Sequence, residues 1–317
     1  MEENTLRKAD FKAVRKSEKR KGYKIPWTLH LMVLPAVLLV FVFSYLPMSG
    51  FVMAFQDYKA ALGITGSPWV GLKHFRFMFE NDYFVKIIGN TVLFACSKVL
   101  LNLIIPFTFA LLLNEVRHMG YKRSIQTLVY LPHFLSWVIL SGILIDLLSQ
   151  TGIVNQFLTF LFDLKKPIFF LGDGTWFRLT IIFSDVWKEF GFNTIIFLAA
   201  LAGINPSLYE AAEVDGAGRF KQTMSITIPS LVPILIVVAT LALGNVMNAN
   251  FDQVFNLYSP MIYQQGDIID TFVYREGLLS GQFSFATAVS LFKSMISLIL
   301  IIISYRLAFK FAGYRIF

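Results

Sequence analysis

Long apolar stretches separated by polar links dominate the chain. Six of these stretches are long enough to cross a hydrocarbon layer of about 30 Å as helices, which takes roughly 20 residues each. We predict membrane spans at Leu29–Phe55, Ile87–Leu113, Ile125–Ser149, Arg178–Gly203, Ser230–Asn250 and Ala286–Phe309. The pattern predicts an all-α, polytopic membrane protein with a polar tail over residues 1–26 and a six-helix membrane domain over residues 27–317.

Composition supports this class. Hydrophobic residues make up 56% of the 317 residues and charged residues only 15%, whereas a soluble domain carries about 25% charged residues. Cys96 is the only cysteine, which excludes a disulfide framework, and its place in an apolar stretch predicts a small core residue. The tail contains no apolar stretch, so we do not expect a cleavable signal peptide there.

The distribution of Lys and Arg predicts the orientation. The N-terminal tail holds nine of them. The tail, the second link, the fourth link and the C-terminal end together hold more than twice as many Lys and Arg residues as the first, third and fifth links together. The positive-inside rule then places both termini and the fourth link in the cytoplasm. The basic tail itself is interpreted as a topology signal near anionic lipid, with a specific partner contact as the alternative.

The fourth link, over residues 204–229, is polar and longer than a simple return across one membrane face requires. Ser207 and Glu210 have the spacing of a capping box, and the preceding Asn205 and Pro206 suit the start of a helix. We therefore predict a short exposed helix that begins at Ser207.

Small residues lie on one face of this predicted helix. Leu208, Ala211 and Ala212 are at i, i+3 and i+4, and the alanines would allow another backbone to approach closely. Gly216 and Gly218 are predicted to end the helix at positive φ. The segment is predicted to dock into another protein.

These residues carry a family resemblance. Glu210-Ala-Ala, then Gly216, Ile226 and Pro229 reproduce the E-A-A, three residues, G, nine residues, I-x-L-P pattern of permease subunits of binding-protein-dependent ABC importers. Ile228 stands where that family usually has leucine. The local sequence is similar to that of the carbohydrate branch, which includes the maltose-type and complex-oligosaccharide permeases.

The resemblance implies a set of partners. A second permease, commonly a distinct chain, two cytoplasmic ATPases and an extracytoplasmic solute-binding protein would work with this chain in a bacterial cytoplasmic membrane. The chain contains no G-x-x-x-x-G-K-[ST] phosphate loop, so ATP and Mg²⁺ would be bound by the ATPases and no cofactor by this chain. The implied ATPase-coupling residues are Leu208, Glu210, Ala211, Ala212, Asp215 and Gly216.

The fourth predicted span carries three charges, Asp185, Lys188 and Glu189, on neighbouring positions of one helical stripe. Such charges are costly inside a membrane. They form either an internal ion pair that joins two helices or a polar wall of the transport path. The resemblance implies that Lys188, Glu189 and Phe192 line the sugar cavity, and the Lys-Glu pair suggests a polar, anionic sugar.

Amide side chains are concentrated at the end of the fifth predicted span. Sugar hydroxyls need partners that donate and accept, which amides supply, although helix capping is the alternative interpretation. We predict that Asn193 in the fourth span and Asn245, Asn248 and Asn250 at the end of the fifth line the path, and the resemblance supports Asn250. Tyr130, His133 and Trp137 form a weaker candidate, and Lys98 and Lys293 are predicted to pair internally or with the partner permease.

Other functions are less consistent with the sequence. It contains no H-E-x-x-H or G-x-S-x-G motif and no Cys/His metal cluster, so we expect neither catalytic residues nor a metal site. A self-contained secondary transporter would need related halves or an ion site. A membrane enzyme acting on lipid-linked sugar would need paired carboxylates near the interface.

Overall fold

The computed structural model describes residues 27–312, without the side chains at 308, 311 and 312. The predicted basic tail over residues 1–26 lies outside the described residues. The chain divides into two units, residues 1–50 and 51–317. In the first unit, Trp27–Val40 is α-helical and leads into a π-helical turn.

The described residues are almost entirely helical. In chain order the α-helices are α1 (Trp27–Val40), α2 (Gly63–Gly66), α3 (Lys73–Glu80), α4 (Asp82–Asn114), α5 (Met119–Tyr130), α6 (Trp137–Leu148), α7 (Ile153–Phe162), α8 (Gly174–Ala202), α9 (Pro206–Val214), α10 (Arg219–Gln222), α11 (Ile228–Gly244), α12 (Phe251–Leu257), α13 (Tyr263–Gly266), α14 (Ile269–Tyr274) and α15 (Phe283–Ala312). π-Helical turns occupy Phe41–Tyr45, Thr223–Thr227 and Arg275–Leu279, and 3₁₀ segments occupy Leu46–Phe55, Leu131–Phe134 and Pro260–Ile262.

Five helical segments of the described chain are long and apolar enough to cross a membrane. They are Trp27–Phe55, Asp82–Asn114, Trp137–Phe162, Arg219–Gly244 and Phe283–Leu307. A sixth arises if α8 and α9, bent by 66°, are counted as one span. The prediction of an all-α, multi-spanning protein is confirmed.

The third predicted span is not a continuous helix. α5 ends at Tyr130, a 3₁₀ turn follows, and α6 begins only at Trp137. Pro132 lies in the turn, and Ser136 caps α6 by accepting from the backbone N–H of Ile139 at 3.3 Å. Hydropathy alone does not detect this break because the residues on both sides of it are apolar.

The fifth predicted span also ends earlier than predicted. α11 stops at Gly244, and residues 245–250 leave the helix before α12 begins at Phe251. Such non-helical backbone is tolerated at membrane depth only where protein or a water-filled cavity surrounds it. The amide-rich end of the span is therefore an unwound segment and not a helix face.

α4 and α8 form the centre of the second unit. Phe107 contacts Phe197 and Phe109 contacts Phe190, edge to face, with ring centroids 5.5 Å and 5.4 Å apart. Cys96, on α4, is exposed, so the prediction of a core residue is wrong. An apolar sequence does not distinguish a helix's outer face from its packed face.

A buried polar cluster joins α4 to α14. The carboxylate of Asp267 is fully buried and accepts hydrogen bonds from Tyr83 Oη at 2.7 Å, Thr271 Oγ1 at 2.6 Å and Arg275 Nη2 at 2.6 Å. Burial opposes the charge of Arg275, but the hydrogen bond and charge of Asp267 outweigh it and raise the pKa of the guanidinium. This cluster fixes the residues around α14 against the start of α4.

Gly191 marks a close approach between α8 and α5. A Cβ atom there would lie 2.2 Å from the carbonyl oxygen of Val129. Gly191→Ala is therefore expected to lower the free energy of unfolding by about 1–3 kcal/mol through overpacking, measured as a lower thermal midpoint in detergent. Gly89→Ala is the matched control: Gly89 lies in α4 with nothing within 4 Å, so alanine should stabilise by up to about 1 kcal/mol. Equal midpoints for the two variants would contradict the packing argument.

Candidate functional site

The polar fourth link contains the predicted short helix, α9. Its N-cap is Asn205, whose side-chain oxygen accepts from the backbone N–H of Ser207 at 3.0 Å, and Pro206 occupies the first helical position. The prediction that Ser207 caps the helix is therefore wrong. Asn205 has the preferred cap chemistry and also precedes a proline suited to the first turn.

α9 presents an exposed surface. Glu210 and Ala211 are exposed, Ala212 is half-buried, and Leu208 is 48% exposed. Val214, at the end of the helix, is 89% exposed. Leu208 and Val214 are therefore open apolar side chains on an otherwise polar link.

The two glycines after α9 differ. Gly216 has φ of +74°, as predicted for a residue that ends a helix, whereas Gly218 has φ of −66°. Gly218 is instead the N-cap of α10, so the prediction for it is wrong. Asp215 is the C-cap of α9 and is exposed.

Two contacts tie this link to the membrane helices. The hydroxyls of Tyr209 and Thr227 lie 2.9 Å apart, which joins α9 to the segment that continues into α11. Arg219 pairs with Glu115, at the end of α4, at 3.0 Å. α9 is therefore in direct contact with the segment that leads into α11.

A cavity of about 710 Å³ lies between α4, α8, α11 and the unwound segment. This size falls within the range of small-molecule sites. Its polar lining consists of Lys98, Asn102, Asp185, Glu189, Asn193, Asn245, Asn248, Asn250 and Asp252. Five of the seven predicted path residues therefore line one cavity: Glu189, Asn193, Asn245, Asn248 and Asn250.

An ion pair lies in the wall of this cavity. Lys98 Nζ is 3.3 Å from Asp185 Oδ1, and the two side chains are 7% and 8% exposed. The ammonium also donates to the carbonyl of Ala249 at 3.0 Å and to Gln253 Oε1. Asn102 donates to the other carboxylate oxygen of Asp185 at 3.0 Å. The pair is thus well satisfied by hydrogen bonds, as a buried pair requires.

Asn250 connects this pair to the unwound segment. Its backbone has φ of +69°, which non-glycine residues rarely adopt. Its side chain donates to Asp185 Oδ1 at 3.3 Å and caps α12 through the N–H of Gln253. Gln253 is fully buried and donates to Ile181 O and Ser184 Oγ. Side-chain hydrogen bonds therefore hold the strained backbone in place.

Lys188 differs from the prediction, because it does not line this cavity. Its ammonium donates to Glu189 Oε1 at 3.0 Å and to the carbonyl of His133 at 2.8 Å, and it lies 5.7 Å from the centre of the Trp137 ring. His133 Nδ1 in turn lies 2.8 Å from Glu189 Oε2. Lys188 therefore belongs to an internal polar cluster that joins α8 to the 3₁₀ turn before α6.

Phe192 does not line this cavity either. Its ring stacks on the His133 ring with centroids 4.0 Å apart. The three candidate residues of the third span therefore do not form one site. His133 and Trp137 contact the Lys188 cluster, whereas Tyr130 lies at the end of α5 beside the break. The sequence could not show which residues of α8 face the cavity, because the break in the third span turns His133 toward this helix.

Sequence reasoning did not place three polar cavity residues, Lys98, Asn102 and Asp252, in the path. Lys98 was identified as a buried charge, but its partner Asp185 lies on another helix. The sequence does not show which positions on different helices contact each other. A charged residue inside a membrane span can therefore be recognised from the sequence, but its partner cannot.

Comparisons with known families, proteins and structures match membrane components of transport systems. The family described as "Binding-protein-dependent transport system inner membrane component" matches residues 102–312. The chain is 42% identical over 301 residues to the polygalacturonan/rhamnogalacturonan transport system permease protein YteP of Bacillus subtilis (strain 168), covering 93% of both chains. It is also 42% identical over 284 residues to the protein LplB of the same organism, covering 89% of each.

Two solved structures have the same fold. The chain matches a subunit of a bacterial ABC transporter involved in the import of the acidic polysaccharide alginate, with a TM-score of 0.83, 35% identity and coverage of 94% of this chain and 99% of that one. It also matches a bacterial alginate ABC transporter in complex with an alginate pentasaccharide-bound periplasmic protein, with a TM-score of 0.84, 35% identity and coverage of 92% and 96%.

Proposed function

Because this chain belongs to the family of inner membrane components of binding-protein-dependent transport systems, we propose that it is the permease subunit of an ATP-driven oligosaccharide importer. It passes an oligosaccharide or polysaccharide fragment from an extracytoplasmic binding protein into the cytoplasm. The proposal rests mainly on one observation: α11 connects an exposed α9 at one end to a polar cavity at the other.

The partners are inferred from the exposed residues of α9 and from the absence of a phosphate loop in the sequence. Leu208, Glu210, Ala211, Ala212, Asp215 and Gly216 form the surface that contacts an ATPase. Two ATPases bind ATP and Mg²⁺, and a second permease, distinct from this one, completes the path. Both termini and α9 face the cytoplasm, which agrees with the distribution of Lys and Arg.

The transport cycle uses α11 as a rigid connection. ATP binding closes the ATPase pair and moves α9, and the Tyr209–Thr227 contact passes this movement to the start of α11. α11 has 17 residues and is therefore about 25 Å long, with the unwound segment at its far end. Movement of α9 thereby shifts Asn245 and Asn248 and alternates access to the cavity.

The substrate is an acidic oligosaccharide. Amides and carboxylates line the cavity, and such groups bind sugar hydroxyls by donating and accepting. The negative charge of the substrate rests on the relatives: one is described as a polygalacturonan/rhamnogalacturonan permease, and the matched structures concern alginate.

Reconstitution tests the proposal. Proteoliposomes that contain this chain, its second permease, the ATPase and the binding protein from neighbouring genes are expected to accumulate labelled trigalacturonate only with ATP and Mg²⁺. The chain alone should neither hydrolyse ATP nor take up the sugar, because the sequence has no phosphate loop. Uptake by the chain alone, driven by an ion gradient, would instead identify a secondary transporter.

A further inference from the structure

Lys98, Lys188 and Lys293 lie in the interior of long helices of the described chain, well away from the helix ends, and they differ in how their hydrogen-bond donors are used. A lysine ammonium has three donors. Lys98 uses them on Ala249 O, Gln253 Oε1 and Asp185 Oδ1. Lys188 uses two, on His133 O and Glu189 Oε1, with the Trp137 ring nearby.

Lys293 has spare donor capacity. Among the described residues its ammonium has one partner, Asp270 Oδ1. Its side chain is 20% exposed, against 7% for Lys98 and 7% for Lys188. Of these three cations, Lys293 is therefore the one that can accept a new ligand without breaking several existing hydrogen bonds.

Lys293 lines a cleft next to the main cavity. The cleft has a volume of about 550 Å³ and is lined in part by Asn245, Asn248, Phe251, Asp270, Lys293 and Ser297. Asn245, Asn248 and Phe251 also line the main cavity. The unwound segment therefore borders both spaces, and an extended chain of sugars could contact it from either side.

The position of Lys293 requires a polar neighbour. It lies in the span Phe283–Leu307, about ten residues from the start of α15, and thus about 15 Å along the helix. A charge at such depth faces water, protein or another polar group rather than lipid. Ser294 and Ser297 donate to carbonyls of their own helix and keep lone pairs that can accept from hydroxyls.

We propose that Lys293 binds a carboxylate of the acidic oligosaccharide, with Asp270 as its counter-ion when the cleft is empty. This assignment rests on the proposed function and extends the substrate path from the main cavity to α15. Lys188, which the sequence favoured for this role, is held in an internal cluster instead.

Lys293→Met tests the assignment in reconstituted transporter. A charge-assisted hydrogen bond contributes about 1.5–3 kcal/mol, so uptake of trigalacturonate should fall by roughly 10- to 100-fold relative to that of its neutral methyl ester. Asp270→Asn, which frees the cation, should shift preference toward the acid. Lys188→Met is the matched control, because Lys188 lines neither space, and after correction for folded protein it should reduce both sugars by the same factor.

Other outcomes are distinguishable. Equal losses for the two sugars in Lys293→Met would overturn the assignment. Loss of co-purification with the second permease would instead place Lys293 in the subunit contact, and Lys293→Arg, which keeps the charge, would then restore assembly. Failure of the wild-type transporter to import either sugar would count against the proposed function and not against the role of Lys293.

Discussion

Replacing Ala211 with arginine is expected to abolish uptake and to remove the stimulation of ATPase activity by the loaded binding protein. Ala211 is exposed on α9, beside Leu208 and Glu210. An arginine there costs little within the helix, since its helix propensity is close to that of alanine. It would, however, hold the ATPase surface away from α9. We expect uptake to fall to background in proteoliposomes while the amount of folded chain in the membrane stays at the wild-type level.

Ala211→Ser is the matched control for this variant. Serine is small enough to keep the close approach, so uptake should stay within about twofold of wild type, since a surface substitution usually changes free energies by less than about 0.5 kcal/mol. Normal stimulated ATPase activity in Ala211→Arg would contradict the assignment of α9 as the coupling helix.

Replacing Lys98 with methionine is expected to lower the amount of folded protein severely. Asp185 would remain as a buried carboxylate without its cation, and breaking a buried pair in this way costs about 3–5 kcal/mol. The carbonyl of Ala249 and the side chain of Gln253 would lose their donor as well. Thermal unfolding in detergent, followed by size-exclusion chromatography, measures the loss.

The double variant Lys98→Met, Asp185→Asn distinguishes the effect of the ion pair on stability from the effect of the other hydrogen bonds of Lys98. Removing both charges avoids the unpaired carboxylate, so the thermal midpoint should recover much of the loss. Asn102 and Asn250 would still have an amide to contact at position 185. A double variant no more stable than Lys98→Met alone would show that the hydrogen bonds to residues 249–253, and not the ion pair, determine stability.

The fold class could be predicted because membrane spans are encoded locally. About twenty consecutive apolar residues suffice to identify a span. Five of the predicted spans overlap long helical segments, although the fifth ends earlier than predicted. The third span was misplaced because hydropathy is blind to backbone breaks. Pro132 and Ser136 were the available signals, and their effect depends on whether neighbouring side chains stabilise the turn.

The cavity was predicted less completely because it is assembled from several helices. The amides near Asn250 were identifiable from their chemistry, and most of them line the cavity. The direction of Lys188 was not identifiable, because it depends on His133 and Trp137, which the break before α6 brings toward α8. Similarly, an exposed Cys96 and a buried Lys98 lie two positions apart on α4, and only the packing of α8 distinguishes their faces.

The Lys98–Asp185 pair also has a consequence for biosynthesis. α8 carries Asp185, Lys188 and Glu189, and it satisfies the criteria for a span only together with α9. A single charged residue at the centre of an inserting helix costs about 2.5–3.5 kcal/mol. The residues outside α8 that contact these charged side chains, Lys98 and His133, leave the ribosome before α8 does. Entry of α8 into the bilayer therefore depends on earlier helices that remain beside the translocon, so the order of synthesis is part of how this membrane domain assembles.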